Sequence, residues 1–197
     1  MVIRYVVIFG VSLLGTSLAS PANAQLPAPA PASTSAPAEA RTDPRALFGG
    51  TFRYVGSAAE RDKRREAIDR SIGGLFFVIR PMARGRLESA TQVPAQYTFS
   101  FEPGQIRVKV PERPDVLSRD DGTKAEYVYN DTRTPFTQRF VRGRLLQVFT
   151  FPNNEGSRTN EFALSPDGRT LTLKVHLSSS KLTAPLVYEL TYQRVTS

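Results

Sequence analysis

The sequence predicts a mainly β protein: an antiparallel up-and-down barrel of about nine or ten strands, with a helical pair or kinked helix inserted after the first strand. Three observations carry that expectation. From residue 96 onward, apolar and polar residues alternate with a period of two in segment after segment, the pattern of strands that cover a core on one side only. Turn residues separate the segments at short intervals, as at Pro103-Gly104, Asp120-Asp121-Gly122, Arg142-Gly143, Asn153-Asn154-Glu155-Gly156 and Pro166-Asp167-Gly168; glycine and asparagine supply the positive φ that tight hairpins need. One stretch near residue 70 breaks the rule and follows the helical period instead. A meander of this length has two exposed edges unless it closes on itself, and closure removes them.

Taken in chain order, residues 1–24 carry the three parts of an export signal. Arg4 stands before an apolar run from Tyr5 to Leu18, and Ala22-Asn23-Ala24 has small residues where a signal peptidase requires them. The expectation is cleavage after Ala24, with no transmembrane segment left in the mature chain. Residues 25–44, "QLPAPAPASTSAPAEARTDP", are dominated by proline and alanine and have no apolar period. They read as a disordered or semi-rigid spacer. Residues 45–197 then form the one folded domain, long enough for a core of its own.

Within that domain "GTFRYVG" places Phe52 and Tyr54 on one face of a first strand. The stretch from 57 to 87 follows. Ser57 and Glu60 have the spacing of a capping box, and apolar residues recur at Ile68, Ile72, Leu75, Phe76, Ile79, Met82 and Ala83, the period of one helix face. Ile68, Ile72, Leu75, Phe76 and Ile79 are expected to face the barrel. Arg61, Arg64, Arg65 and Arg70 are expected to face solvent, and Glu60 with Arg64 and Glu66 with Arg70 have i,i+4 spacing. Gly73-Gly74 and Pro81 weaken the middle. The alternative takes "LFFVIR", residues 75–80, as a buried strand, since a short apolar run is ambiguous by period alone. Four clear strands continue the pattern, "QYTFSF" from 96, "IRVKV" from 106, "TLTLKVHLS" from 170 and "PLVYELTYQR" from 185, within about eight or nine strands in all from Gln96 onward.

One strand, a helical pair and a long antiparallel meander make an order that resembles the calycin barrels. Within them it is similar to the small lipid-binding type, in which a helix-turn-helix after the first strand caps the barrel mouth. The closing stretch "RTNEFALSPDGRTLTLKVHLSSSKLTAPLVYELTYQR" also resembles exported bacterial lipocalin-like domains. The resemblance covers residues 47 to 194 and implies a barrel fold and a small-molecule ligand. The Gly-x-Trp signature of lipocalins is absent, with Phe52 in its place, and the chain has no tryptophan. Where lipid-binding barrels carry Arg-x-Tyr on the last strand, this chain has Tyr192-Gln193-Arg194. No ligand-binding residue is transferred on these grounds.

Composition narrows the function classes. The formal charge is +8 with no cysteine; cleavage after Ala24 would remove one arginine and leave +7. A cysteine-free exported chain holds its fold without disulfides, which suits a periplasmic or secreted protein. Its basic surface suits anionic envelope components. The basic residues are spread among acids, and no dense stripe for nucleic acid emerges. With one histidine and no cysteine, no metal site and no cofactor are expected. His176 falls on the polar face of its strand, and no nucleophile elbow appears, so no catalytic residue is assigned and the protein does not read as an enzyme.

Candidate binding residues come from face parity. Polar side chains that share the apolar face of a strand are the unusual ones: Gln138, Gln147, Arg158, Asn160, and on the last strand Tyr188, Tyr192 and Arg194. A pocket combines apolar lining with a few convergent polar groups, and Arg158 or Arg194 could hold a carboxylate or phosphate in a two-pronged contact. The expected function is an exported barrel domain binding an apolar or amphipathic small molecule in its interior. The alternative is a non-catalytic structural or interaction protein of the cell envelope, its barrel filled by its own aromatic residues.

Overall fold

A computed structural model describes residues 43–196; the expected leader and the spacer up to residue 42 lie outside the described residues. The chain begins with a short helix, α1 (Pro44–Phe48), which the sequence reading placed in the linker and the domain start. Its signals are local: Asp43 accepts from the Arg45 amide, and Pro44 opens the first turn. Strand β1 (Gly50–Tyr54) follows, then α2 (Ala58–Ile72) and α3 (Arg80–Ala90). Nine strands complete the fold: β2 (Gln96–Glu102), β3 (Gln105–Lys109), β4 (Val116–Arg119), β5 (Ala125–Tyr129), β6 (Thr132–Val141), β7 (Arg144–Thr150), β8 (Gly156–Leu164), β9 (Thr170–Ser179) and β10 (Leu186–Arg194).

All ten strands form one antiparallel sheet in the order β4-β3-β2-β1-β10-β9-β8-β7-β6-β5. Each strand pairs with its sequence neighbour except at two places. β1 returns to pair with β10, and no ladder joins β4 to β5. The sheet is thus a nearly closed barrel with a seam between β4 and β5. An isolated bridge, Asp121 to Arg139, ties the two sides together. Hairpin chemistry matches the tight turns. Arg142 and Gly143 both have positive φ between β6 and β7, as do Asn130 and Asp131 between β5 and β6, the pairing a two-residue hairpin demands.

The core is the inward face of these strands, and it is rich in aromatic residues. Phe52, Phe99, Phe136, Phe162, Tyr97 and Tyr192 are buried. Phe162 meets Tyr97 and Phe99 edge-to-face, with ring centroids 5.2 Å apart in each pair, the arrangement that aromatic quadrupoles favour. α1 closes one end by inserting Phe48 against Phe99 and Phe140.

The helical pair covers part of the barrel, but not in the expected way. α2 buries Ala67, Ile68, Ser71 and Ile72. Its Ser57 cap accepts from the Glu60 amide, yet the Glu60 carboxylate does not reach back. It accepts instead from the amide and hydroxyl of Thr191, at 3.1 and 2.5 Å, pinning the helix to β10. The expected Glu60–Arg64 pair is therefore not made, and Arg64 donates to the Thr91 carbonyl and hydroxyl, so it is half-buried rather than solvent-facing. Glu66 and Arg70 do stand 3.9 Å apart, both exposed.

The largest correction concerns the helical period. Residues 73–79 are neither helix nor strand; they form a turn between α2 and α3. Phe76 and Ile79, expected to face inward, are 68% and 47% exposed, and Phe77, Val78 and Met82 exceed 60%. Only Leu75 packs partly against the core. The physical reason is the paired glycines. Thr183, in the β9–β10 loop, donates its amide to the Ser71 carbonyl at 2.9 Å and so ends α2. Gly74 lies so close that a Cβ there would stand 2.8 Å from the Thr183 methyl. The apolar stripe thus loses its helix one turn before Phe76.

Replacing Phe162 by alanine should lower the unfolding free energy by about 3–5 kcal/mol, and replacing Phe76 should change it by less than about 0.5 kcal/mol, as read by urea denaturation. Equal losses would contradict the exposed turn.

Candidate functional site

Strand register gathers four of the expected residues. Gln138 on β6 lies opposite Gln147 on β7, which lies opposite Asn160 on β8; the same row continues through Val175 on β9 to Tyr188 on β10. Side chains directly opposite on one face come within contact distance. They form a single run of hydrogen bonds. Arg158 Nε donates to Asn160 Oδ1 at 2.9 Å, Asn160 Nδ2 to Gln147 Oε1 at 3.2 Å, and Gln147 Nε2 to Gln138 Oε1 at 2.9 Å. Gln138 Nε2 then donates to the Ile106 carbonyl on β3 at 2.7 Å. The run starts on a cation and ends on a main-chain oxygen across the seam. Buried amides are costly unless paired, and here each amide both donates and accepts.

Arg158 stands at the open end of this run, half-buried. Besides Asn160 it donates Nη1 to the Ala90 carbonyl, at 3.0 Å, near the C-terminal end of α3. A cation is favoured there, where helix carbonyls lack partners. Next to it lies a cleft of about 430 Å³. Ser89 and Ala90 of α3 and Gln92 just beyond it form its rim, and Tyr97, Val108, Val110, Val116, Tyr127, Phe149, Phe151 and Leu177 its apolar and aromatic walls. Gln147, Arg158 and Asn160 supply polar groups, joined by Arg113 from the β3–β4 loop. No aspartate or glutamate lines it, so its two charged groups are both cations.

The tyrosines are held neutral. Burial pushes the Tyr97 hydroxyl up to about 12, against the pull of Arg158 and Arg113. Burial also raises Tyr127 and Tyr188. None can become a competing anion near neutral pH.

The remaining expected residues lie elsewhere. Gln138 is fully buried and supports the run from behind. Tyr188 is buried two strands beyond Asn160, outside the cleft lining. Tyr192 is buried among Tyr54 and Tyr97. Arg194 is committed to the fold: it donates to the carbonyls of Gly168, Gly49 and Leu47 and lies 4.5 Å over the Phe52 ring, fastening α1. Arg113 and Tyr127 were not singled out from sequence. Arg113 sits between Glu112 and Pro114 in a loop, where strand parity has no meaning; Tyr127 has the right alternation, but on a strand without a strong apolar face. His176 is exposed. Among the described residues no group of three or more His, Cys, Asp or Glu gathers as a metal site would. A depression of about 370 Å³ on the outer face near the β6–β7 hairpin is lined by Arg142 and the ion pair of Arg144 with Glu161, and contains no part of the polar run.

No family model and no curated protein matches the chain. Among solved structures it is similar to a secretory abundant heat soluble protein of Ramazzottius varieornatus, at 12% identity over 76% of this chain and 96% of that one, with a TM-score of 0.49. It is also similar to a fatty acid binding protein of Schistosoma mansoni in complex with arachidonic acid, at 11% identity over 78% and 100%, TM-score 0.47, and to fatty-acid-binding protein 1 of Echinococcus granulosus, at 15% identity over 77% and 99%, TM-score 0.44. By its own connectivity the fold is a calycin-like barrel: ten up-and-down strands with a helix pair after the first.

Gln138→Leu should lose about 1–3 kcal/mol of stability for each polar group it strands, the Ile106 carbonyl and the Gln147 amide. Chemical denaturation checks this, and an unchanged midpoint would mean that the run does not tie β6 to β3.

Proposed function

We propose that the protein is an exported barrel domain that binds an amphipathic small molecule carrying one anionic head. The observation that carries this reading is the cleft: apolar and aromatic walls, two cations and no acid among its lining residues. The apolar part of the ligand would lie against Val108, Val116, Phe149 and Leu177, gaining about 0.8 kcal/mol per buried methylene. Its head would meet Arg158 and Arg113, with the neutral Tyr127 hydroxyl as a further donor. The cleft volume falls within the range of small-molecule sites. Arg158 needs no reorganisation to serve, because Asn160 and the Ala90 carbonyl already hold its guanidinium.

The envelope-structural alternative is the weaker reading. Aromatic packing fills the half of the barrel nearest α1, and the cleft occupies the half nearest the end of α3.

Isothermal titration with dodecanoate and with dodecanol separates the contributions. Arg158→Gln should weaken dodecanoate binding about tenfold to a hundredfold, the loss of a charge-assisted hydrogen bond, and leave dodecanol unchanged. Equal binding of acid and alcohol by the unaltered protein would refute the anionic head, and no binding of either would refute the ligand.

Export is supported by the order of Arg4, the apolar run and Ala22-Asn23-Ala24. Intact mass of the protein from its host should correspond to a chain beginning at Gln25. A chain retaining Met1 and found in the cytoplasm would overturn it.

A further inference from the structure

We propose that the turn between α2 and α3 is a docking element for an anionic lipid bilayer. Four consecutive large apolar side chains, Phe76, Phe77, Val78 and Ile79, are exposed there, with Met82 beside them. Isolated exposed apolar residues are ordinary, but a contiguous group at one projecting point marks a contact surface. Phe76 and Phe77 stand with ring centroids 5.1 Å apart, so they present one aromatic wedge.

The base of the wedge is fixed. Thr183 ends α2 through the Ser71 carbonyl and also receives the Gly74 amide at 3.3 Å. Arg80 Nε donates to the Leu75 carbonyl at 2.7 Å, closing the turn from its other side. The apolar tip is therefore held outward by hydrogen bonds at both ends, and burying it against the barrel would require breaking them.

Charge selects the occupant. The turn itself contains no acid, and Arg70 and Arg80 bracket it. Across α2, the turn and α3, eight basic side chains face five acidic ones. Arg70 and Arg84 are paired with Glu66 and Asp69, while Arg80 and Arg86 have no ion-pair partner among the described residues. A wedge of phenylalanine and aliphatic side chains rimmed by guanidinium groups matches the boundary between acyl chains and anionic headgroups. A second copy of the chain fits less well. Two such tips meeting would bring Arg80 and Arg86 against their own counterparts, and a turn whose side chains fan around a point has no flat face to pair with itself.

The test is co-sedimentation of the full-length mature chain with vesicles, either of phosphatidylcholine alone or of equal phosphatidylcholine and phosphatidylglycerol. Phosphatidylglycerol also carries the acyl chains and anionic head proposed for the cleft ligand, so the discriminating variants are those at Phe76 and Phe77, which lie outside the cleft lining. Binding is expected to the anionic vesicles and to fall about tenfold or more on the neutral ones. The double substitution of Phe76→Ser with Phe77→Ser should abolish it at unchanged thermal unfolding, and Arg80→Gln with Arg86→Gln should reduce it about tenfold. Absence of binding to anionic vesicles, or equal binding to both kinds, would overturn the proposal. So would sedimentation velocity showing a dimer that the phenylalanine substitutions dissolve.

Discussion

The hydrogen-bonded run from Arg158 through Asn160, Gln147 and Gln138 to the Ile106 carbonyl is the interaction on which the rest of the barrel depends. It crosses the seam that main-chain pairing leaves between β4 and β5, joining β6 to β3 at the level where Asp121 and Arg139 also meet. Ile106 and Gln138 lie on strands already paired on both sides, so the run adds a buried side-chain tie across the seam beyond the ladder bonds. A run of this kind is strong only if complete, because each amide is oriented by the next. Its last member is a guanidinium whose outer face is left for something else.

That arrangement couples closure to the cleft. Arg158 is at once the end of the polar run, the partner of the α3 carbonyl at Ala90 and one of the two cations lining the cleft. A ligand head placed on it would touch a group already bonded to both the sheet and the helical cover. The opposite end of the barrel has a different character. Phe48, Phe99 and Phe140 close it, and Arg194 binds three carbonyls around α1, so an inward-parity arginine there is structural. Two arginines of the same inward parity thus differ in how far the fold commits them: Arg194 reaches three protein carbonyls and Arg158 one.

The helical cover shows a further division. Glu60 ties α2 to Thr191 on β10, and Thr183 ends it; both anchors are far away in sequence. The first fixes the start of the helix, and the second halts it before the apolar residues that a simple helical period would have turned inward. The outcome is an exposed hydrophobic tip with arginines on either side, a feature with no role in core packing.

Much of this was legible in the sequence. Alternation and turn residues determined the strands, their antiparallel order and the helical insert, because these depend on local geometry: side chains alternate across a strand, and glycine or asparagine takes positive φ. The same alternation marked Gln138, Gln147, Arg158 and Asn160 as inward-facing. Tertiary structure alone decided that the three amides meet in one row with Arg158 in the adjacent inward row, since register between strands sets which side chains stand opposite. It alone drew Arg113 from a loop to the cleft, gave Arg194 to α1 rather than to a ligand, and exposed Phe76 to Ile79. Parity tells which face a residue is on; depth, neighbours, where a helix is anchored and where it must stop depend on distant groups such as Thr191 and Thr183, which no local pattern contains.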